Sequence, residues 1–116
     1  MAVGGGGGLN LFDLPPQFSQ EEVTQELLSA PNVRIERILS SGQTSPEGFW
    51  YDQEENEWVT ILEGEGEVAY PDGTKVRLQK GDALLLPAHQ LHRVSYTSTP
   101  CLWLCVFYPN PQEELI

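Results

Sequence analysis

The sequence predicts an all-β domain, an antiparallel sandwich or barrel, with one short helix ahead of it. After Pro31 the apolar side chains recur with a period of two, which is the period of a half-buried strand. Turn-forming residues interrupt this pattern at short intervals, and many short strands between evenly spaced turns are typical of antiparallel sandwiches and barrels. The turn signals are Ser40-Ser41-Gly42, Gly64-Glu65-Gly66, Pro71-Asp72-Gly73, Gly81-Asp82 and Ser98-Thr99-Pro100.

The short N-terminal helix is predicted over residues 20 to 29. The run from Ser19 to Glu22 has the pattern of a capping box, with Phe18 and Val23 placed as a hydrophobic staple. Pro31 ends the helix because the residue before a proline avoids the α conformation. We expect this helix to cap one end of the barrel or to contact a second subunit. Its apolar stripe at helical spacing consists of Val23, Leu27 and Leu28.

The strands are predicted from alternation and from the turns that separate them. Pro71-Asp72-Gly73, between Tyr70 and Thr74, predicts a hairpin. No internal repeat is present, so the strands form one domain rather than two. The predicted strands are Val33 to Ile38, Gly48 to Tyr51, Trp58 to Leu62, Glu67 to Tyr70, Thr74 to Leu78, Ala83 to Leu86, Arg93 to Tyr96 and Leu102 to Tyr108.

The last strand segment, from Cys101 to Tyr108, has no polar face. A strand that is apolar on both sides must be covered on both sides. One set of side chains fills the barrel, and the other needs cover from the N-terminal segment around Leu9 to Phe18 or from a second subunit. We expect a homodimer. The two sets are Leu102, Leu104 and Val106 on one face and Cys101, Trp103, Cys105 and Phe107 on the other.

Length and charge limit the class of protein. A chain of 116 residues predicts one domain, divided into a flexible lead and N-terminal arm (1–18), a barrel (19–110) and a tail (111–116). The net charge of −11 argues against nucleic acid and membranes as partners. No apolar run approaches the ~20 residues of a membrane span, and the start does not resemble a signal peptide, so we expect a cytoplasmic protein. Cys101 and Cys105, four residues apart in a strand, lie too far apart to bridge each other and are expected to be reduced, buried thiols.

The stretch from Gly81 to Val94 carries the strongest sign of a functional site. It places an apolar run between Gly-Asp and Pro-Ala and then presents His89 and His92, the only two histidines of the chain. A turn that delivers an imidazole to the mouth of a β structure is a common way to build a metal or small-molecule site.

This stretch resembles the second sequence motif of the cupin superfamily, with Gly81, Pro87 and His92 in register. His89 stands where that motif usually has glycine, and Tyr96 where it usually has asparagine. The closing part of the first cupin motif is present as Glu57 followed by six residues and Gly64, but no histidine precedes Glu57. The resemblance spans Val33 to Tyr108 and implies a small antiparallel β-barrel or jelly roll with a metal or small-molecule site inside.

The resemblance also implies a set of candidate metal ligands. His92 and Glu57 match ligand positions of the family. Depending on the gap before Glu57, either Gln53 or Asp52 takes the place of a missing histidine, and His89 is a further candidate that restores a nitrogen ligand. Such an oxygen-rich set suits Zn, Mn, Fe(II) or Ni, with weak or partial occupancy.

Two functions remain open from the sequence. The first is a metal-dependent enzyme, such as a dioxygenase, isomerase or lyase, that acts on a small organic molecule. Without a metal, Glu57 or His92 would be the candidate base of such an enzyme. The second is a non-catalytic binding or sensor protein that holds a small molecule in the barrel with no metal or a weakly bound one. Fold alone does not distinguish the two.

Overall fold

A computed structural model describes residues 8–14 and 20–110 and confirms the predicted all-β fold. The described residues form antiparallel strands and contain no helix. A helix long and apolar enough to cross a membrane is therefore absent from this part of the chain. The strands are β1 (Val23–Ala30), β2 (Val33–Ser40), β3 (Asn56–Glu63), β4 (Glu65–Ala69), β5 (Lys75–Gln79), β6 (Ala83–Leu86), β7 (Arg93–Thr97) and β8 (Cys101–Tyr108).

The strands form two sheets that face each other, as in a jelly roll. One sheet has five strands in the order β1-β2-β8-β3-β6, and the other has three in the order β5-β4-β7. The core lies between them and includes Ile61, Val68 and Trp103, each at most 4 % exposed. Gly66 on β4 allows the sheets to approach, because a Cβ atom there would lie 2.4 Å from the Trp103 ring.

The predicted helix over residues 20 to 29 is wrong, because Val23–Ala30 is strand β1. It pairs with β2 from Val23, opposite Leu39, to Ala30, opposite Val33. A bulge between Glu26 and Leu28 shifts the register, which brings apolar residues to a spacing that imitates a helix. Ser19 and Phe18, the cap and staple residues of that prediction, lie outside the described residues.

The remaining strand predictions are confirmed with small changes of boundary, apart from one. In the segment from Gly48 to Tyr51, only Tyr51 has β pairing, as an isolated antiparallel bridge with His92. The predicted hairpin is present, since Tyr70 N donates to the Thr74 carbonyl at 2.9 Å and Gly73 has a φ of 91°. The lead over 1–7 and the tail over 111–116 lie outside the described residues.

The two faces of the last strand, β8, differ in burial. Cys101, Trp103, Cys105 and Phe107 are buried in the core, and the alternate residues lie on the outer face of the sheet. On that outer face the N-terminal segment covers part of the neighbouring strand β2: the Asn10 and Leu11 carbonyls accept hydrogen bonds from Arg37 at 3.3 and 2.9 Å. Leu102 is fully buried, whereas Leu104 and Val106 are only partly covered.

Candidate functional site

A cavity of about 230 Å³ opens into the space between the two sheets. Three of the residues expected from the sequence, His92, Glu57 and Gln53, line this one cavity. Apolar and aromatic side chains make up most of the remaining wall. The other lining residues are Glu22, Glu36, Ile38, Tyr51, Val59, Val68, Leu86, Val94, Trp103, Cys105 and Phe107.

Glu57 reaches the cavity because of strand alternation. It precedes Val59 and Ile61 on the inward side of β3, and its neighbours across the sheet are Leu86 and Phe107. Glu57 is 8 % exposed, and Gln53 Nε2 donates to its Oε1 at 3.3 Å. Burial raises the pKa of Glu57 above its usual value, and this outweighs the hydrogen bonds from Cys105 and Gln53 and the attraction of His92, all of which lower it. The cavity therefore contains an acid that is easier to protonate than an exposed carboxyl.

His92 presents one nitrogen of its ring to the cavity. It lies just before β7, where its backbone bridges to Tyr51 through Tyr51 N–H donating to the His92 carbonyl at 2.7 Å. The Nδ1 atom lies 2.8 Å from the Gln90 carbonyl, and a carbonyl only accepts, so Nδ1 carries a proton. In the neutral ring Nε2 is then the acceptor. The ring is 4 % exposed and stacks on Tyr51 at 5.3 Å between centroids, and the described residues offer Nε2 no hydrogen-bond partner.

His89 and Asp52 pair with each other at the surface and do not line the cavity. Their side chains join at 2.8 Å, His89 Nδ1 to Asp52 Oδ1, and both are more than half exposed. His89 N also donates to the Gln53 carbonyl at 2.7 Å, so the pair ties the loop before β3 to the loop before β7. Of the two alternatives before Glu57, the structure turns Gln53, not Asp52, into the cavity.

The backbone conformation of His89 explains why the cupin motif that it resembles usually has glycine at this place. Its φ is 65°, in the left-handed region that glycine adopts without a steric penalty. The hydrogen bond to Asp52 accompanies this conformation. Metal ligation by His89 or Asp52 stays a prediction that this geometry does not support.

Two acidic residues in the cavity wall were not expected from the sequence, Glu22 and Glu36. Glu36 lies on the same face of β2 as Arg34 and Ile38, and Ile38 also lines the cavity, so the period of two contained the signal. The sequence did not show which face of β2 points inward. Glu22 precedes β1, and the mistaken helix concealed its position. It accepts a hydrogen bond from Ser40 Oγ.

A tightly bound metal does not fit the donors that face this cavity. The described residues contain no group of three His, Cys, Asp or Glu side chains arranged to hold a metal ion. Gln53 turns its amide N–H toward Glu57, and Glu57 also bonds to Cys105, so Glu57 is already engaged by protein donors. Burial raises the pKa of Cys105 well above its usual value, which keeps this thiol protonated and a poor ligand. Among the described residues that line the cavity, His92 Nε2 is a strong ligand atom with no hydrogen bond to the protein.

Comparisons with known proteins agree with this architecture. Residues 37–107 match the family model described as "Cupin domain". No curated protein matches the chain. A candidate mannose-6-phosphate isomerase from Ralstonia eutropha is 37 % identical, with a TM-score of 0.85 over 90 % of this chain and 99 % of its own.

Two further solved structures share the fold at lower identity. An RmlC-like cupin from Desulfovibrio desulfuricans is 23 % identical, with a TM-score of 0.73 over 89 % of this chain and 96 % of its own. The EutQ protein of Clostridium difficile is 18 % identical, with a TM-score of 0.64 over 76 % of this chain and 68 % of its own. The family match over most of the barrel and the relative at 37 % identity show that the chain belongs to the cupin superfamily.

Proposed function

We propose that this cupin binds a small organic molecule in its barrel cavity without a tightly bound metal. The observation that carries the proposal is that His92 and the Glu57 carboxyl line the same mostly apolar pocket. A few convergent polar groups in an apolar concavity are the usual composition of a small-molecule site. The volume of about 230 Å³ lies just below the usual range of such sites, ~300–1,000 Å³, so the ligand is compact.

The name of the solved structure at 37 % identity suggests a sugar phosphate, but the charges of this cavity oppose one. A bound phosphate group is normally held by Arg, Lys or backbone N–H groups. None of the described residues that line the cavity is Lys or Arg, and three are glutamates. A phosphate dianion among Glu22, Glu36 and Glu57 would meet like charges, and Arg34, which pairs with Glu36, is not part of the lining. We therefore do not assign sugar-phosphate isomerisation to this chain.

Catalysis by the same pair of residues is the second candidate function. Glu57 and His92 face one cavity, and the raised pKa of Glu57 is typical of carboxyls that accept and donate protons in enzymes. The hydrogen bond from His92 Nδ1 to the Gln90 carbonyl also resembles the support given to metal-ligating histidines. A metal-dependent enzyme using Zn, Mn, Fe(II) or Ni remains the form of this candidate that the family implies.

Metal content and ligand-dependent stability separate the two candidates. The protein would be purified without chelator, analysed for metals and screened by thermal unfolding against compact metabolites. We expect substoichiometric metal and a rise in melting temperature with some metabolites, because a ligand that binds only the folded state stabilises it. The shift should vanish in His92→Ala and persist in His89→Ala, a matched histidine outside the cavity. Stoichiometric metal that is lost in His92→Ala would contradict the proposal and favour the metal-dependent enzyme.

We also propose that the protein forms a homodimer through the outer face of the five-stranded sheet. One row of paired residues crosses all five strands and is entirely apolar, from Leu28 through Ile35, Val106 and Trp58 to Leu85. Leu28, Trp58 and Leu85 are 47, 41 and 49 % exposed. In a dimer with a two-fold axis, this row on one subunit would be covered by the same row of the second subunit. The row contains no charged residue, although the chain has a net charge of −11. The cytoplasmic location expected from the sequence likewise stays a prediction.

A further inference from the structure

We propose that the cavity selects an organic ammonium ion, a protonated primary or secondary amine on a compact apolar body. This inference rests on the proposed small-molecule binding and names the chemical class of the ligand. It follows from three properties of the wall: the sign of its charged groups, the direction of its hydrogen bonds and the nature of its apolar surface.

The charged groups of the wall are all acidic. Glu22, Glu36 and Glu57 line the cavity, and no Lys or Arg does so among the described residues. Arg34 pairs with Glu36 at 2.9 Å, and its guanidinium lies over the Phe107 ring at 4.2 Å from the centroid, but Arg34 is not part of the lining. A cleft with apolar walls and carboxylates favours a positively charged guest, because the attraction is stronger beside a low-dielectric wall than in bulk water.

The hydrogen-bond donors of the wall are mostly used within the protein. Trp103 Nε1 donates to Ser40 Oγ at 3.2 Å, Gln53 Nε2 donates to Glu57 at 3.3 Å, and the Cys105 thiol also bonds to Glu57. The Tyr51 hydroxyl, which interacts with Ser45, serves as donor or acceptor.

The groups left for a ligand are therefore mainly acceptors. His92 Nε2 lies on a ring that is only 4 % exposed and has no protein partner among the described residues. Each of the three glutamate carboxylates already accepts a hydrogen bond from the protein, but a carboxylate has further lone pairs with which it can accept from a ligand. A guest that complements such a wall must bring N–H donors, as an ammonium group does and a carboxylate or a carbonyl does not.

The rest of the wall fits the hydrocarbon part of an amine. Aromatic rings from Tyr51, Trp103 and Phe107 line it together with aliphatic side chains such as Val59 and Val68. Aromatic faces attract cations, and the aliphatic residues cover apolar groups. The volume of about 230 Å³ suits one ring or a short branched chain.

A matched series of probes tests the inference by calorimetric titration of the intact protein near neutral pH. The series is cyclohexylamine, cyclohexanol and cyclohexanecarboxylate, which share one ring and differ in charge, with tetramethylammonium as a cation that has no N–H. We expect cyclohexylamine to bind at least ~10-fold more tightly than the other three, because a charge-assisted hydrogen bond is among the stronger polar contacts. Glu57→Gln and Glu36→Gln should each reduce this preference by several-fold, and Glu47→Gln, at an exposed position outside the cavity, should leave it unchanged.

The two glutamine variants and the wild type would first be compared by thermal unfolding, so that loss of affinity is read only in folded protein. Equal or tighter binding of the alcohol or the carboxylate, dependent on His92, would overturn the ammonium inference and leave the proposed binding function intact. Tighter tetramethylammonium would overturn the requirement for N–H donors. Displacement of cyclohexylamine by low micromolar Zn²⁺ or Mn²⁺ would overturn both the ammonium inference and the proposed metal-free binding function. A lack of binding by every probe up to millimolar concentration would also overturn both.

Discussion

Gly66→Ala should destabilise the barrel, because the added methyl group would collide with the Trp103 ring. The new Cβ would lie 2.4 Å from Cη2 and 2.5 Å from Cζ2 of Trp103, whereas carbon atoms in contact normally lie ~3.5–4.0 Å apart. Either the ring or strand β4 must therefore move by about 1 Å. The ring is poorly placed to do so, because it is 4 % exposed and its Nε1 donates to Ser40.

The expected cost of Gly66→Ala is about 2–3 kcal/mol, the upper half of the usual range for overpacking a core. For a two-state domain of this length, each 1 kcal/mol lowers the melting temperature by about 4 °C. The free energy of unfolding would be measured by urea denaturation followed through tryptophan fluorescence, with an unchanged slope taken as the sign of a comparable unfolding transition. A displaced ring would also intrude into the ligand cavity that Trp103 lines, so affinity for a bound molecule should fall with stability.

A double-mutant cycle tests the cause of this loss. Trp103→Phe removes the ring atoms that would meet the new methyl group, so Gly66→Ala should cost at least ~1 kcal/mol less in that background. Gly8→Ala is the control, because nothing lies within 4 Å of a Cβ there. A loss of less than ~0.5 kcal/mol in Gly66→Ala, or strict additivity with Trp103→Phe, would refute the close approach of the two sheets at this point.

Three further predictions concern titration, assembly and thiol reactivity. Burial raises the pKa of Glu57 above 4.5, so the contribution of Glu57 to the stability of the folded protein is present below pH 4.5 and is lost as the pH rises through the folded pKa. The free energy of unfolding of Glu57→Gln in urea, relative to wild type, should therefore increase from pH 4.5 to pH 7. A difference that stays constant with pH would contradict the burial of this carboxyl. Trp58→Ser should shift the protein from about twice 12.9 kDa toward 12.9 kDa in light scattering, because it removes the largest side chain of the apolar row, whereas Tyr96→Ser on the other sheet should not; a wild type that is already monomeric would defeat the dimer. Burial raises the pKa of Cys101 to about 12 and that of Cys105 well above its usual value, so neither thiol should react with Ellman's reagent at pH 8 until urea unfolds the protein, and rapid reaction of the folded protein would place a thiol at the surface.

The inward-facing acid of the site was predictable from the sequence because two independent patterns agreed on it. Glu57 begins a strand whose alternate residues Val59 and Ile61 are apolar, and it also stands in register with Gly64 in a cupin motif. The spacing of Gly81, Pro87 and His92 fixed the turn that delivers the imidazole. Local spacing was sufficient in both cases because strand alternation and tight turns are short-range properties.

The errors came from contacts between segments distant in sequence. Capping and apolar spacing favoured a helix over residues 20 to 29, but pairing with β2 and a bulge near Leu28 made this segment an edge strand. The choice between Asp52 and Gln53 depended on which loop residue His89 engages, and the structure gives Asp52 to that surface pair. The inward direction of Glu36 depended on which face of β2 points toward the core between the sheets, which alternation alone does not specify.

The N-terminal segment stabilises the buried guanidinium of Arg37, a role that its own sequence does not indicate. Arg37 is 2 % exposed, and its partners among the described residues are the Gln25 side chain and the carbonyl oxygens of Asn10 and Leu11. None of these acceptors carries a formal charge, so peptide dipoles solvate the cation in place of water. A shortened protein that lacks the residues up to 14 would lose the Asn10 and Leu11 carbonyl groups, two of the dipoles that solvate a guanidinium that cannot lose its proton. Shortening this end is therefore a change to the interior of the protein, and a version meant for crystallisation should retain the segment from Gly8 onward.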